Sequence, residues 1–313
     1  MPQDAYSLLR QGVVIPAHPL VLNEKYELDT IRQRGLTRYY LDAGAGGLAV
    51  GVHATQFAIR EAGLYEPVLR LAAGTVADWC DRPVVMVAGV SGKTEQACAE
   101  AEIARGLGYH VALITLAAFQ GASEGEMVAH CAGVAAVMPI MGFYLQPAVG
   151  GVPLPVSFWR RFAEIENAVA IKAAPFSRYH TMDVVNGVVA AGAEERIALY
   201  TGNDDHIVLD LLAPFEAVRD GTTVRVRFRG GLLGQWGVWT QQAVAMLERV
   251  HASINSGTVD ADLLALDSRL TDANRAIFDV DNGFRGCLAG CHEILRRQGL
   301  LAGTWCLDPA EVL

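Results

Sequence analysis

A repeated pattern of short apolar runs, each followed by a helical stretch, constrains the fold of this chain more than any other feature. The helical stretches between the runs are about 12 to 20 residues long. Eight runs follow the pattern, at residues 12–17, 47–52, 83–90, 110–115, 137–144, 168–172, 197–201 and 223–228. Continuous apolar runs that alternate with helices predict a parallel sheet covered on both faces, and eight of them favour a closed (β/α)8 barrel.

An open, doubly wound sheet is the competing arrangement. No GxGxxG motif follows the second run, however, and the sequence contains no P-loop. We therefore predict a barrel domain over residues 1–235. Three further helices are predicted after the eighth run, at 236–257, 260–267 and 284–299, and these exceed what a minimal barrel needs. We assign residues 236–313 to a C-terminal helical extension.

Some helix starts are visible in the sequence. Ser123 and Glu126 have the spacing of a capping box ahead of a helix predicted over 127–137. Thr94 is expected to cap a helix over 95–106. A further helix is expected to begin at Asn23 or Glu24 and to end near Gly44.

Composition excludes several classes of partner. The formal net charge is −9, and the only adjacent basic pairs are Arg160–Arg161 and Arg296–Arg297, which argues against nucleic acid and anionic membranes as partners. The sequence has neither signal-peptide order at its start nor an apolar run long enough to span a bilayer, so we expect a cytoplasmic protein. The six cysteines are scattered, which favours free thiols. No cofactor is predicted, and Cys287, Cys291 and His292 lack a nearby fourth ligand for a metal.

Lys172 is the residue with the clearest chemical potential. It lies in the apolar stretch AVAIKAAP, with no charged neighbour in sequence, and the chain holds only three lysines among its 25 basic residues. An unpaired buried ammonium group is strongly disfavoured, and burial lowers a lysine pKa by as much as about 3 to 5 units. A neutral amine can attack a carbonyl carbon. The alternative is a lysine at a strand end that extends to water.

The carboxyl ends of barrel strands normally carry the chemistry of such folds. Tyr144 and Lys172 end neighbouring runs, so we expect a phenol beside the amine, where a hydroxyl could relay the protons of imine formation. The alternative is that Tyr144 fills space at the barrel mouth. The other polar or aromatic residues after the runs are His18, His53, Thr55, Ser91, Phe119, Asn203, Asp204 and Arg229.

Four stretches resemble the dihydrodipicolinate synthase and N-acetylneuraminate lyase family, which consists of Schiff-base lyases and aldolases on a (β/α)8 barrel. GFYLQP resembles the family's Y-N-x-P motif and AVAIKAAP its G-I-K motif. YTGNDD is similar to the S-G-D-D turn, and DAGAGGLAVGVHATQF follows the strand-two segment in register. The resemblance implies that Lys172 forms the Schiff base and Tyr144 relays protons. It also implies substrate contacts at Ala54, Thr55, Gly202, Asn203 and Asp204.

The departures from the family pattern affect the predicted pocket. His53 and Ala54 replace two threonines that help to hold the substrate carboxylate, so His53 becomes a third catalytic candidate, either as a cation that pairs with the carboxylate or as a neutral base. Leu116, Ala117 and Ala118 replace a Pro-Tyr-Tyr stretch, and Val149 replaces the arginine of the synthases. Dihydrodipicolinate synthesis is therefore not expected.

Three functions remain open from the sequence. The first is a Schiff-base lyase that cleaves, condenses or dehydrates a 2-oxo acid through Lys172. The second is a metal-dependent barrel that uses His18, His53 and Asp204, although these residues have no ligand spacing. The third is a barrel that binds a small carbonyl or acid ligand without turnover. The resemblance also implies a homo-oligomer, either a dimer or a tetramer.

Overall fold

The computed structural model of the chain describes residues 1–312 and contains a barrel of eight parallel strands surrounded by helices. The strands, including two that form a separate hairpin, are β1 Val14–Pro16, β2 Gly47–Val50, β3 Val85–Val90, β4 Val111–Ile114, β5 Ile140–Leu145, β6 Ala168–Ala174, β7 Ala198–Thr201, β8 Phe215–Arg219, β9 Thr222–Val226 and β10 Phe228–Leu233. The barrel order is β1-β10-β7-β6-β5-β4-β3-β2, and a bridge between Ala17 and Ala49 joins its two ends. The predicted (β/α)8 barrel is confirmed.

Eleven α-helices surround and extend the barrel in the described part of the chain. They are α1 Gln3–Gln11, α2 Thr30–Asp42, α3 Tyr65–Trp79, α4 Thr94–Gly106, α5 Glu124–Ala135, α6 Val156–Ala163, α7 Arg178–Ala190, α8 Ile207–Leu212, α9 Thr240–Ser256, α10 Ala261–Ile277 and α11 Cys287–Arg297. No helix within residues 1–312 is both long and apolar enough to cross a membrane.

Two apolar layers hold the barrel together. The inner layer fills the barrel with side chains such as Val87, Leu113 and Met141, and Leu9 of α1 joins it at the amino-terminal end of the strands. The outer layer lies between the strands and the helices and continues into the C-terminal helices through Trp236 and Leu263. Alternate side chains of each strand therefore belong to different layers, as strand geometry requires.

The eighth barrel strand differs from the prediction. Residues 223–228 mostly form β9, which pairs in antiparallel fashion with β8, and the barrel strand is the next one, β10. The reason lies in two glycines: a Cβ at Gly230 would lie 2.4 Å from the carbonyl oxygen of Val13, and one at Gly231 would lie 2.6 Å from Trp236. Glycines are needed for this close packing, but in a sequence they resemble a turn.

The helix predicted to begin at Asn23 or Glu24 begins instead at Thr30. The Asn23 side chain accepts hydrogen bonds from the amides of Lys25 (2.8 Å) and Glu27 (3.0 Å), which makes a turn, and Asp29 caps α2 by accepting from the amide of Arg32. The capping box of Ser123 and Glu126 is confirmed. Thr94 is itself the first residue of α4, and no side chain caps that helix. The helix predicted over 260–267 continues to Ile277.

Candidate active site

Lys172 lies near the carboxyl end of β6 and points into the barrel. It lies opposite Phe143 on β5 and Tyr200 on β7. Ala170 and Ala174, two residues before and after it on β6, face the same way and belong to the inner apolar layer. The residue is 8% exposed. The amine nitrogen lies 4.3 Å from the centre of the Phe143 ring. The amine is therefore held at the barrel mouth among apolar groups.

The turn after β7 passes close to the lysine side chain. A Cβ at Gly202 would lie 2.5 Å from Cε of Lys172 and 2.8 Å from Cβ of Ala174. Real Cβ atoms do not approach other atoms so closely, so only glycine fits here without moving the lysine. Gly202 thus fixes the path of the Lys172 side chain.

A cavity of about 90 Å³ opens above the amine at the carboxyl ends of the strands. The polar groups in its wall come from His53, Gln146, Lys172, Asp204 and Cys287, and the remainder is mostly aliphatic or aromatic. On the same measure one water molecule needs about 10–15 Å³, so the space holds several waters or a molecule as small as a three-carbon acid. Among residues 1–312, no arginine lines this cavity.

Aromatic residues of the C-terminal extension cover the cavity. Phe278 and Phe284 line it together with Phe176, and the rings of Phe176 and Phe284 meet edge to face at 5.9 Å. A second chamber of about 620 Å³ lies on the other side of these rings and shares Asp204 with the inner cavity. The inner cavity is therefore a desolvated space with a polar entrance.

Burial and charge act in opposite directions on Lys172 and Asp204. Desolvation lowers the pKa of Lys172 below its ordinary value, and the negative charge of Asp204 offsets part of that change. Desolvation likewise raises the pKa of Asp204, which the positive charge of Lys172 opposes. The two side chains form no ion pair within 4.0 Å in the described structure. Burial thus shifts both groups toward their neutral forms.

His53 begins a short 3₁₀ turn, His53–Thr55, that closes one side of the cavity. Burial, assisted by the charge of Lys172, lowers the pKa of His53 to about 4. The lowered pKa favours the neutral imidazole at pH 7 in this structure, and the choice between the two predicted roles, cation or neutral base, stays a prediction. The backbone amides of His53 and Ala54 donate no hydrogen bond within residues 1–312, and such amides can receive an oxyanion.

Thr55 supports this loop from behind and does not line the cavity. Its hydroxyl donates to the carbonyl oxygen of His18 at 2.7 Å and accepts from the amide of Gly51 at 2.9 Å. Arg60 adds a second support, because it bonds both Glu100 (2.8 Å) and the carbonyl oxygen of Gly89 (3.0 Å). The position of His53 is thus fixed by buried polar contacts.

Tyr144 lies away from Lys172, so the predicted pairing of phenol and amine is not formed. Tyr144 is opposite Ala173 in the β5–β6 register and points outward, where its ring lies 5.5 Å from that of Trp159 and 5.7 Å from that of His180. Its hydroxyl accepts a hydrogen bond from the amide of Leu154 at 3.1 Å. Phe143, one residue earlier, has the inward position beside the amine.

Asn203 also supports the site from outside the cavity. Its Oδ1 accepts from the amide of Phe176 at 3.0 Å, and its Nδ2 donates to Thr181 and to the fully buried Asp210. Phe176 has a φ of 50°, a strained value for a non-glycine residue. Asn203 therefore holds the loop after β6 in a conformation in which Phe176 lines the cavity.

Other predicted residues lie elsewhere. His18 is fully buried and bonds Thr37 at 2.8 Å, while Phe119 packs under Lys93 and against His130. Arg229 is the second residue of β10 and lies at the amino-terminal end of the barrel, opposite the cavity. These residues do not contribute to the cavity wall.

His18, His53 and Asp204, the ligands of the metal-dependent alternative, do not converge. Within residues 1–312, no three His, Cys, Asp or Glu side chains are grouped so as to hold a metal ion. Cys287 lines the cavity alone among the cysteines, and burial raises the pKa of its thiol to about 12.

Several cavity residues were not anticipated from the sequence. Phe143, Gln146, Phe278, Phe284 and Cys287 line the cavity together with the predicted groups. Side chains of β5 point alternately into and out of the barrel, and Phe143 is the one that points inward beside Lys172. That could be known only once the pairing of β5 with β6 was known. The residues of the extension had no local signal, because the packing of distant segments brings them to the mouth.

The fold and this site define a class of protein, a (β/α)8 barrel with a buried lysine at the carboxyl end of its sixth strand. A profile of the dihydrodipicolinate synthetase family matches residues 11–218. The chain belongs to that family.

Solved structures of the family have the same architecture. The prophage protein YagE from E. coli K12, solved in complex with pyruvate, is 21% identical with a TM-score of 0.78 over 96% of this chain and 92% of its own. Dihydrodipicolinate synthase from Acinetobacter baumannii is 16% identical, with a TM-score of 0.76; the match covers 95% of this chain and 91% of the synthase chain. N-acetylneuraminate lyase from Mycoplasma synoviae is 13% identical, with a TM-score of 0.70; the match covers 96% of this chain and 92% of the lyase chain. The curated proteins give no match.

Proposed function

We propose that this protein is a Schiff-base lyase in which Lys172 forms an imine with a 2-oxo acid. The observation that carries the proposal is the amine itself, which is held inside a desolvated cavity and has a lowered pKa. A neutral amine attacks the keto carbon, and the protonated imine then withdraws electrons from the bond at the next carbon. Cleavage, condensation and dehydration all proceed from that intermediate.

Among the residues that line the cavity, a pair of adjacent backbone donors is free to receive the substrate carboxylate. These are the amides of His53 and Ala54, next to the neutral His53 imidazole. We place the carboxylate on these amides and assign His53 to contact with the substrate as a neutral group. Dihydrodipicolinate synthesis does not fit this wall, because Val149 lines it where the synthases carry an arginine.

Two of the solved relatives, YagE and the A. baumannii synthase, were crystallised with pyruvate, which makes pyruvate a suitable probe. Incubation with pyruvate and borohydride should add one reduced adduct per chain, on the peptide that contains Lys172. The variant Lys172→Met should lose the adduct, whereas Lys25→Met and Lys93→Met should keep it as matched controls. Intact mass and peptide mapping provide the readout, and an adduct that survives in Lys172→Met would refute the proposal.

The same assay examines His53. His53→Ala should still be trapped at saturating pyruvate, but the pyruvate concentration for half-maximal trapping should rise about 10-fold or more, the scale of one lost hydrogen bond to a charged group. An unchanged concentration dependence would place His53 outside substrate contact.

A second candidate function has an observation in its favour. Phe143 stands beside Lys172 without a hydroxyl group, and the two threonine positions are His53 and Ala54, so a barrel that binds carbonyl ligands without turnover would look similar. Exchange of the pyruvate methyl protons with D2O distinguishes the lyase from the binding protein. Exchange requires an enamine, and binding of pyruvate without an imine forms none. We further propose a cytoplasmic homo-oligomer.

A further inference from the structure

The cavity lacks the phenol that was expected to move protons beside Lys172. Imine formation nevertheless needs a group that gives a proton to the departing oxygen and takes one from the adjacent carbon. Among residues 1–312, the titratable side chains in the cavity wall are His53, Lys172, Asp204 and Cys287. Lys172 is the nucleophile, and the Cys287 thiol holds its proton too tightly to act as an acid near neutral pH.

Asp204 has the position that the task requires. It lies two residues after Gly202, where an added Cβ would lie 2.5 Å from Cε of Lys172, and its own amide donates to the Gly202 carbonyl oxygen at 3.1 Å. Its carboxyl group is the one carboxyl lining the inner cavity within the described residues, and it also borders the outer chamber. Asp204 and Lys172 line the same cavity and form no ion pair within 4.0 Å, so neither group is taken up by the other.

Three contacts fix the turn that carries this carboxyl group. Asn274 of α10 donates to the Asp204 carbonyl oxygen at 2.6 Å, and the amide of Gln235 donates to its Oδ1 at 3.4 Å. The third is the bond from the Asp204 amide to Gly202. Oδ2 makes no hydrogen bond within residues 1–312, so it is free to exchange a proton with a ligand.

We propose that Asp204 is the acid and base of the imine chemistry, a catalytic residue that replaces the missing phenol. The proposal rests on the proposed function, since it requires an imine at Lys172.

The proton transfers balance over three steps. The amine attacks the keto carbon, and the protonated Asp204 gives its proton to the forming alkoxide while it takes one from the new ammonium group. Asp204 then protonates the hydroxyl, which leaves as water as the C–O bond breaks, and a positively charged iminium and a carboxylate remain. The carboxylate finally removes a proton from C3, which yields the neutral enamine and restores the acid form.

The charges around Asp204 agree with this role. Its protonated form persists toward neutral pH because burial raises its pKa. The titratable groups that face it are Lys172 on β6, Asp205 on the same turn, and Cys287 and Cys291 on α11, whose thiols are neutral. In the outer chamber, His206 bonds Asp267 and Arg275 bonds Asp281. Lys172 is therefore the one cation in the wall of the inner cavity, within the residues described.

The test compares wild type, Asp204→Asn and Asp205→Asn in two assays, borohydride trapping of pyruvate and exchange of its methyl protons in D2O. Asparagine keeps the Oδ1 acceptor for Gln235 and removes only the ionisable group. Asp204→Asn should slow exchange by about 10²-fold or more, the usual scale for a positioned acid or base. Trapping at equilibrium should persist or increase below pH 8, because loss of the negative charge lowers the pKa of Lys172 further.

The pH profile is the decisive readout. The active state carries one proton shared between Asp204 and Lys172, so wild-type exchange should rise and then fall with pH. In Asp204→Asn only the lysine titrates, and the fall on the alkaline side should disappear. Asp205→Asn, whose side chain is exposed and lies outside the inner cavity, should keep both limbs of the profile, with a small shift to lower pH because one negative charge that raises the pKa of Asp204 is lost.

Each other outcome has a definite meaning. Equal losses of trapping and exchange in Asp204→Asn would show a structural role, and faster exchange would show a purely electrostatic one; either overturns the proposal. If wild type itself gives no adduct at Lys172, the proposed function fails, which this comparison reveals separately.

Discussion

At the scale of single residues, three effects compete for the charge on Lys172. The Phe143 ring at 4.3 Å stabilises an ammonium group, and so does the negative charge of Asp204. Burial has the larger effect and opposes both, so the pKa is lowered. The neutral amine should therefore be available at lower pH than on an exposed lysine.

The sequence predicted the buried position of Lys172 but not which aromatic side chain lies beside its amine. An isolated lysine in an apolar run is a local signal, and the structure places it where the pattern suggested. The GFYLQP motif contains a tyrosine, yet strand parity turns Tyr144 outward and Phe143 inward. A shift of one residue in register moves every side chain of a strand to the other face, and no local pattern determines the register when both faces are apolar.

The outward position of Tyr144 leads to a prediction about stability. Tyr144→Phe leaves the buried amide of Leu154 without its acceptor, which should cost about 1–3 kcal/mol of unfolding free energy. Urea denaturation measures this cost, while trapping and proton exchange should stay at wild-type levels. Tyr39→Phe is the control, because the Tyr39 hydroxyl makes no hydrogen bond within residues 1–312 and its loss should change little. A large fall in the exchange rate with unaltered stability would instead show that Tyr144 transfers protons, as the resemblance to the family implies.

At the scale of elements, the barrel strands show where periodicity succeeds and fails. Seven runs formed the expected strands because buried parallel strands are continuously apolar. The eighth failed because β10 contains adjacent glycines while the neighbouring hairpin strand has ordinary strand composition. The glycines of β10 are explained only by Val13 and Trp236, which are distant in sequence.

The turn after β7 gives a prediction at this scale. Gly202→Ala should force Lys172 out of its path, since the new Cβ would lie 2.5 Å from Cε. A displacement of this kind can cost on the order of 10²-fold in rate, so trapping by pyruvate should slow by that scale while circular dichroism shows an intact fold. Gly74→Ala, where an added Cβ meets no atom within 4 Å, should trap at the wild-type rate. An unaffected trapping rate in Gly202→Ala would mean that the lysine has a second productive conformation.

At the scale of the whole molecule, the C-terminal helices are part of the site. The predicted boundary near residue 235 falls just after β10, but Phe278, Phe284 and Cys287 line the cavity. The outer apolar layer also continues from the barrel into α9, α10 and α11. We infer that the extension does not act as an independent unit, and its role as a cover could not be read from its ordinary amphipathic pattern.

The assembly gives a prediction for the intact protein. The resemblance to the family implies subunit contacts without a shared catalytic tyrosine, so we expect each cavity wall to be complete within one chain. Light scattering at micromolar concentration should show a dimer or tetramer. Trapping per chain should stay constant on dilution, because no partner residue is needed. A strictly monomeric protein would contradict the expected assembly.

One hydrogen bond links the strand-two loop to the segment that follows α11. The amide of Leu307 donates to Oε1 of Gln56 at 2.6 Å, and Gln56 belongs to the loop that carries His53. During synthesis on a ribosome, the barrel strands emerge well before this segment. A nascent chain would therefore leave its amine open to carbonyl compounds until the segment after α11, which contains Leu307, reaches the strand-two loop.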